Sequence, residues 1–201
     1  MRVAIVGGPG IGKSTLVRQL GDLYHHGSYG EGEQGVWDPR VLVGGLGMGF
    51  TLRATLDHLP AAASVVVAEL LPAVVEWNRG PLGPLAGHPL KDRRVRVELG
   101  DVAAALRSSV DAFDAVLLDV DNGPAAFATS GNAALYNDAG LAAARTSLKK
   151  EGVLAVWSAR DDRKFEQRLR YAGFRVEVER VRGRLKKGGP KHTIFIGRRE
   201  G

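Results

Sequence analysis

Acidic residues stand at the ends of consecutive apolar segments of this sequence, where they could hold a nucleoside. Glu69 ends SVVVAE, Asp101 follows RVRVELG, and Asp119 and Asp121 lie at the end of DAVLLDVD. If these segments are parallel strands, their carboxyl ends open on one crevice, where open α/β sheets bind ligands. A carboxylate after the second strand suits a ribose diol, and one after the third can accept a hydrogen bond from an adenine amino group. The alternative role for Asp101 is to cap the helix predicted from residue 102.

A glycine-rich loop precedes these acids. In VLVGGLGMGF, residues 41–50, Gly45, Gly47 and Gly49 follow a predicted strand and open a predicted helix. Glycine lets a backbone approach a ligand closely, and a carboxylate about 20 residues later is the spacing of a nucleotide-binding βαβ unit. The loop and the acids together predict a cofactor site at Gly45, Gly47, Gly49, Glu69 and Asp101.

A second glycine-rich loop lies near the start of the sequence. GGPGIGKST, residues 7–15, has the spacing of a phosphate-binding loop, with Gly12, Lys13 and Ser14 at its end, and residues 1–25 resemble the start of a P-loop kinase. Its backbone amides would cradle a phosphate and Lys13 would reach the terminal phosphates, which makes ATP a candidate ligand. Two interpretations stay open: a nucleotide site, or an appended βα unit packed on the edge of the sheet.

From Val41 onward, apolar segments alternate with helical patterns. Strands are predicted at 41–44, 64–69, 94–99, 114–120, 152–158, 174–183 and 192–198, and helices at 50–58, 72–79, 102–109, 134–149 and 161–171. Such alternation implies a parallel sheet covered on both faces, and the last two strands, with no helix between them, imply an antiparallel end. We therefore predict an α/β fold with a seven-stranded, mostly parallel, doubly wound sheet of the class I methyltransferase type over residues 41–201. Residues 1–40 form a P-loop-like βα appendage and linker in this division.

Composition argues against several other classes of protein. The chain has 201 residues, of which 44% are hydrophobic and 25% charged, and no apolar run is long enough to span a membrane. It has no cysteine, which excludes disulfides, thiolate metal sites and a cysteine nucleophile, and no metal site is predicted. The start lacks the pattern of a signal peptide, so we expect a cytoplasmic protein.

The net charge of +6 is unevenly distributed. Residues 160–201 hold 14 basic and 6 acidic residues. Because acids are interleaved and aromatic residues are few, this composition favours a solvated face over a nucleic-acid site.

Several blocks of the sequence resemble one family. The blocks VLVGGLGMGFTLRA, VVVAELLPAVVEWNRGPL, GDV, FDAVLLDVDNGP and SLKKEGVLAVWSA are similar to those of the bacterial spermidine synthase-like proteins, the aminopropyltransferase branch of the class I methyltransferase fold, over residues 41–198. The resemblance implies a sulfonium nucleoside ligand, either decarboxylated S-adenosylmethionine or S-adenosylmethionine. It also implies a small-molecule amine as substrate, and a homodimer is one possible assembly. From the composition we expect no nucleic-acid or membrane partner.

The resemblance also assigns roles by position. The three loop glycines would line the ligand, Glu69 would hold the ribose, Asp101 would hold the adenine, and Asp119 and Asp121 would face the reacting amine. Aminopropyltransferases usually carry D-x-x-D-P after the fourth strand. Because Asn122 occupies the place of the second acid, Asp121 is the predicted base, since a carboxylate can attract an ammonium and take its proton. The alternative for Asp121 is a cap of the loop DNGP.

Three other functions stay open. A small-molecule methyltransferase would need a donor for the carboxylate of its ligand, for which Arg53 is a candidate. A P-loop NTPase or kinase would bind magnesium and ATP through Lys13. A non-catalytic relative would keep the crevice and bind the ligand without turnover.

Overall fold

The computed structural model describes residues 38–120, 123–124, 134–182 and 191–201. They form one seven-stranded sheet in the order β3-β2-β1-β4-β5-β7-β6. Strands β1 to β5 pair in parallel, and β7 lies between β5 and β6, antiparallel to both. The strands are β1 (Arg40–Gly44), β2 (Ser64–Glu69), β3 (Val95–Leu99), β4 (Phe113–Leu118), β5 (Leu148–Ser158), β6 (Phe174–Arg182) and β7 (Lys191–Arg199).

The central strands are apolar on both faces because helices cover both sides of the sheet. In β1, Val41 and Val43 belong to the core cluster on one face and Leu42 to the cluster on the other. The helices are α1 (Phe50–His58), α2 (Pro72–Arg79), α3 (Val102–Arg107), α4 (Asp138–Ser147) and α5 (Arg163–Tyr171). Helices α1 and α2 pack on the first cluster, and α3, α4 and α5 pack on the second. Two short 3-10 helices, Gly83–Ala86 and Pro89–Lys91, connect α2 to β3.

The local sequence explains where these helices start. Asp101, Asn137 and Asp162 cap α3, α4 and α5, each accepting a hydrogen bond from a backbone amide of the first turn. Helix α2 begins at Pro72, whose fixed φ suits a first helical position. Helix α1 begins after Gly49, without a side-chain cap.

The structure confirms the predicted α/β class, the seven strands and the antiparallel end. It differs from the prediction at β5, which begins at Leu148 instead of residue 152, so that α4 ends at Ser147. A register shift between β4 and β5 and a left-handed Glu151 (φ 61°) let the polar residues 149–151 continue the strand. Helix α3 ends at Arg107, two residues early, since the hydroxyls of Ser108 and Ser109 bond back to the carbonyl of Ala105.

None of the helices in the described part of the chain is both long enough and apolar enough to cross a lipid bilayer.

Candidate functional site

The candidate site lies at the carboxyl ends of β1 to β4, which are neighbours in the sheet. Gly44 at the end of β1 is in register with Ala68 of β2 and Leu118 of β4, and Glu69 of β2 is in register with Leu99 of β3. The loops that follow these strands therefore start side by side. The fold brings the glycine loop, Glu69, Asp101 and Asp119 to one edge of the sheet, as the sequence predicted.

Glu69 holds the glycine loop in place. Its side chain is buried, and Oε2 accepts a hydrogen bond from the amide of Leu46 at 2.9 Å. Its other oxygen, Oε1, accepts from the amide of Leu71, also at 2.9 Å. Since each carboxylate oxygen has two lone pairs, both oxygens keep one acceptor site for a ligand hydroxyl.

The three glycines of the loop have different surroundings. All have positive φ, but a Cβ on Gly45 would lie 2.8 Å from the carbonyl oxygen of Asp119, and one on Gly49 would lie 2.9 Å from Asn78 Oδ1. These two glycines are required by packing within the protein. Nothing lies within 4 Å of a Cβ on Gly47, which is exposed. Of the three, Gly47 is the one beside open space where a ligand could approach.

A tight turn forms the tip of this loop. The amide of Gly49 donates to the carbonyl of Leu46 at 2.8 Å, and Gly47 occupies the first central position with φ 50°. Met48, at the second central position, does not have a positive φ, so Gly47 alone of the two central residues has one. The amide of Met48 makes no hydrogen bond to any described residue.

Asp101 caps α3, which is the alternative role that the sequence predicted for it. Its Oδ1 accepts a hydrogen bond from the amide of Ala103 at 2.9 Å. The side chain is exposed, so that capping and ligand binding are compatible uses of its two oxygens. Beside it, Leu70 and Leu99 expose 63% and 60% of their surface, which provides apolar area for a flat ring at this edge.

Asp119 is held by a residue that the sequence analysis did not single out. The hydroxyl of Thr51, in the first turn of α1, donates to Asp119 Oδ2 at 2.6 Å. Thr51 is buried, and Asp119 is half-buried and anchored by its own amide to the carbonyl of Gly44. The fourth strand ends at Leu118, so Asp119 begins the loop instead of closing the strand.

Asn78 is a second residue that sequence reasoning missed. It lies on the buried side of α2, and its Nδ2 donates to the carbonyl of Gly47 at 2.8 Å and to that of Val74 at 2.9 Å. The available signal was a polar residue four positions after Val74, on the apolar face of an amphipathic helix.

The electrostatics of this edge favour a cation. Neither Glu69 nor Asp101 forms an ion pair with a described residue, and both accept hydrogen bonds from backbone amides. Arg53, the candidate for a ligand carboxylate, instead pairs with Asp57 one turn along α1 at 2.6 Å. Uncompensated carboxylates in a cleft attract positively charged ligands.

Four of the predicted residues lie outside the described residues. They are Asp121, the predicted base, and Gly12, Lys13 and Ser14 of the phosphate-binding loop. Their roles stay predictions.

The fold is similar to that of solved transferases. A spermidine synthase in complex with the transition-state analogue AdoDATO and the spermidine synthase from Thermotoga maritima each match with a TM-score of 0.70 at 18% identity, over 95% of this chain and 59% of theirs. Human methyltransferase-like protein 13, in complex with SAH, matches with a TM-score of 0.64 at 19% identity, over 95% of this chain and 80% of its own. The chain thus spans 59% of the length of the two spermidine synthases.

No protein-family model and no curated protein sequence matches the chain. At these identities the structural likeness establishes the class I methyltransferase-like fold that the sequence predicted.

Proposed function

We propose that this protein is a transferase that binds a sulfonium nucleoside and transfers an aminopropyl group from decarboxylated S-adenosylmethionine to a small-molecule amine. The observation that carries the proposal is the acidic edge formed by Glu69, Asp101 and Asp119. Both reactants are cations, and Glu69 and Asp101 keep their charge free of ion pairs with the described residues. The spermidine synthase folds among the structural neighbours support the same class of reaction.

Each acid has a role in this proposal. Glu69 accepts hydrogen bonds from the ribose hydroxyls while it holds the glycine loop. Asp101 accepts a hydrogen bond from the adenine amino group with the oxygen that does not cap α3. Asp119, oriented by Thr51, attracts the amine, and Asp121 is the proposed proton acceptor.

The reaction is a displacement at carbon. The neutral amine nitrogen attacks the aminopropyl carbon next to sulfur, a C–N bond forms, and the C–S bond breaks with its electron pair going to sulfur. The products are methylthioadenosine and a longer amine, and the proton lost by nitrogen passes to a carboxylate. Because the sulfonium is already a good leaving group, the protein contributes mainly by holding the two reactants together.

Calorimetric titration tests the choice of ligand. We expect decarboxylated S-adenosylmethionine to bind more tightly than S-adenosylmethionine, and incubation of the preferred ligand with diamines to release methylthioadenosine. Preference for S-adenosylmethionine, with no methylthioadenosine formed from either, would overturn aminopropyl transfer.

A variant of Asp101 separates adenine recognition from folding. Asp101→Asn keeps an oxygen for the cap of α3, because asparagine caps as well as aspartate. Its amide nitrogen, however, donates a hydrogen bond where the carboxylate accepted one. We expect the variant to bind methylthioadenosine roughly tenfold more weakly and to gain affinity for methylthioinosine, in which an acceptor carbonyl oxygen replaces the adenine amino group. Equal losses for both nucleosides would contradict the adenine role of Asp101.

One observation favours a second candidate, methyl transfer from S-adenosylmethionine to a small molecule. The Met48 amide at the tip of the glycine loop makes no hydrogen bond to a described residue, and a backbone amide can receive the carboxylate that S-adenosylmethionine retains. The same titration distinguishes the two functions, since this candidate requires S-adenosylmethionine to be the tighter ligand.

A further inference from the structure

Asn78 connects α2 to the tip of the glycine loop. The residue is 1% exposed, and Nδ2 donates to the carbonyls of both Gly47 and Val74. The bond to Val74 lies within the helix, one turn back, and therefore fixes the side-chain rotamer. The bond to Gly47 spans 31 positions in sequence. The amide group thus holds one peptide of the loop against a rigid helix.

Stability alone does not account for an asparagine at this position. Its Oδ1 is buried and has no hydrogen-bond partner. This oxygen lies 2.9 Å from the position that a Cβ on Gly49 would occupy. Pro89 and Ala86 lie close to the same position. A buried acceptor without a partner lowers stability, and a leucine of similar size would avoid that cost.

The hydrogen bond from Asn78 to the carbonyl of Gly47 also orients the amide of Met48, which belongs to the same peptide group. Carbonyl and amide of a trans peptide point in opposite directions, and the described chain has no cis peptide. Because Asn78 draws the carbonyl of Gly47 towards α2, the amide of Met48 points away from α2. Gly47 is exposed on its open side, and Met48 N has no acceptor among the described residues.

We propose that Asn78 is a positioning residue, which orients the Gly47–Met48 peptide so that the Met48 amide is presented to the bound ligand. The inference rests on the proposed function, since it assumes that the glycine loop binds a sulfonium nucleoside or its product. Asn78 acts through the loop and does not itself touch the ligand. Glu69 fixes the amide of Leu46, two residues before Met48, so the two side chains hold the tip of the loop from two elements.

The test is Asn78→Leu, which removes the bond to Gly47 together with the unpaired oxygen. We expect its melting temperature to stay within about 3 °C of the wild type, because the loss of two hydrogen bonds is offset by the loss of a buried unpaired acceptor. We expect the dissociation constant for methylthioadenosine or S-adenosylhomocysteine, whichever the wild type binds more tightly, to rise roughly tenfold. In ¹⁵N-labelled protein, the shift of the Met48 amide on adding that probe should be smaller in the variant.

Asn137→Ala is the matched control. Asn137 caps α4 through the amide of Gly140, on the opposite face of the sheet from α2, so its loss should lower the melting temperature and leave the dissociation constant unchanged. If Asn78→Leu unfolds, Asn78→Ala, which also removes the donor and the unpaired oxygen, replaces it in the same comparison.

Unchanged affinity and an unchanged Met48 shift in the Asn78 variant, with a wild type that binds, would overturn the positioning role alone. A wild type that binds neither probe would overturn the proposed function and this inference with it.

Discussion

Acidic residues at the amino-terminal edge of the sheet have different partners from those at the carboxyl-terminal ends of β2 and β3. At the amino-terminal edge, Asp92 pairs with Arg94 at 2.8 Å, Asp114 with Lys149 at 2.8 Å, and Asp111 with Arg199 at 2.5 Å. At the carboxyl-terminal edge, Glu69 and Asp101 accept hydrogen bonds from backbone amides and make no ion pair with a described residue.

We interpret this difference as one between acids that stabilise the fold and acids that could bind a ligand. Arg94 also donates to the carbonyls of Leu59 and Pro60, so its pair with Asp92 fastens the end of α1 to the start of β3. Charge at that edge is neutralised within the protein. At the other edge the charge stays available, and the amides that hold Glu69 and Asp101 orient them without cancelling it. A cationic ligand is the natural complement.

The largest effect on ligand affinity should follow from Glu69→Gln at the carboxyl-terminal edge. One of the two backbone amides would then face an NH₂ group, and the ribose would lose a charged acceptor, so we expect affinity for the sulfonium nucleoside to fall about 100-fold. Isothermal calorimetry measures the change. Glu98→Gln on the neighbouring strand is the control, because Glu98 is paired with Arg96 only at 3.5 Å on the surface. A similar loss of ligand affinity in both variants would contradict a specific role for Glu69 in binding.

Asp92→Asn, at the amino-terminal edge, should lower stability and leave ligand affinity unchanged. The side-chain hydrogen bond from Arg94 lowers the pKa of Asp92 from 3.8 to about 2. This carboxylate therefore stabilises the fold above pH 3.8, and the contribution disappears as the pH falls towards 2. We expect the variant to lose about 2 kcal/mol of unfolding free energy at pH 7 and to lose less than the wild type on acidification. Urea unfolding of wild type and variant at pH 7 and at about pH 2 measures this difference. Ligand affinity should be unchanged.

Gly47→Ala tests whether the ligand binds beside the tip of the glycine loop. A Cβ there meets no atom within 4 Å, but φ is 50°, so an alanine is strained without being crowded. The expected cost is about 1 kcal/mol in thermal unfolding, with weaker ligand binding because the methyl group stands on the open side. Stability loss with unchanged affinity would place the ligand elsewhere.

Lys13→Ala should have the smallest effect. If the carboxyl-terminal edge alone binds the nucleoside, its dissociation constant should change less than about twofold, within the uncertainty of titration. An ATP titration of the same variant tests the separate prediction for the phosphate-binding loop. A large loss of nucleoside affinity would tie that loop to the site.

Much of this fold was predictable because burial leaves strong patterns. Continuous apolar runs predicted β1, β2 and β4. Glycines followed by Glu69 predicted the candidate site, since nucleotide-binding βαβ units place few residue types at fixed spacings. The extension of β5 was not predictable, because Lys149, Lys150 and Glu151 are polar and enter the strand through a register shift.

The supporting residues of the site were harder to predict. Thr51 and Asn78 act on partners 68 and 31 positions away, and no local pattern identifies such pairs. Their contacts depend on how helices dock on the sheet, which tertiary packing decides. A polar residue on the buried stripe of α2 was the one available signal.

The most direct test compares decarboxylated S-adenosylmethionine, a sulfonium, with methylthioadenosine, its uncharged thioether counterpart, by calorimetry in wild type and in Asp119→Asn. If the acidic edge binds a cation, the sulfonium binds more tightly to the wild type. Because the carboxylate that attracts the acceptor amine would also face the reacting sulfonium, Asp119→Asn reduces that preference while methylthioadenosine affinity is retained. Equal affinity for both ligands in the wild type, or binding of neither, would contradict the account.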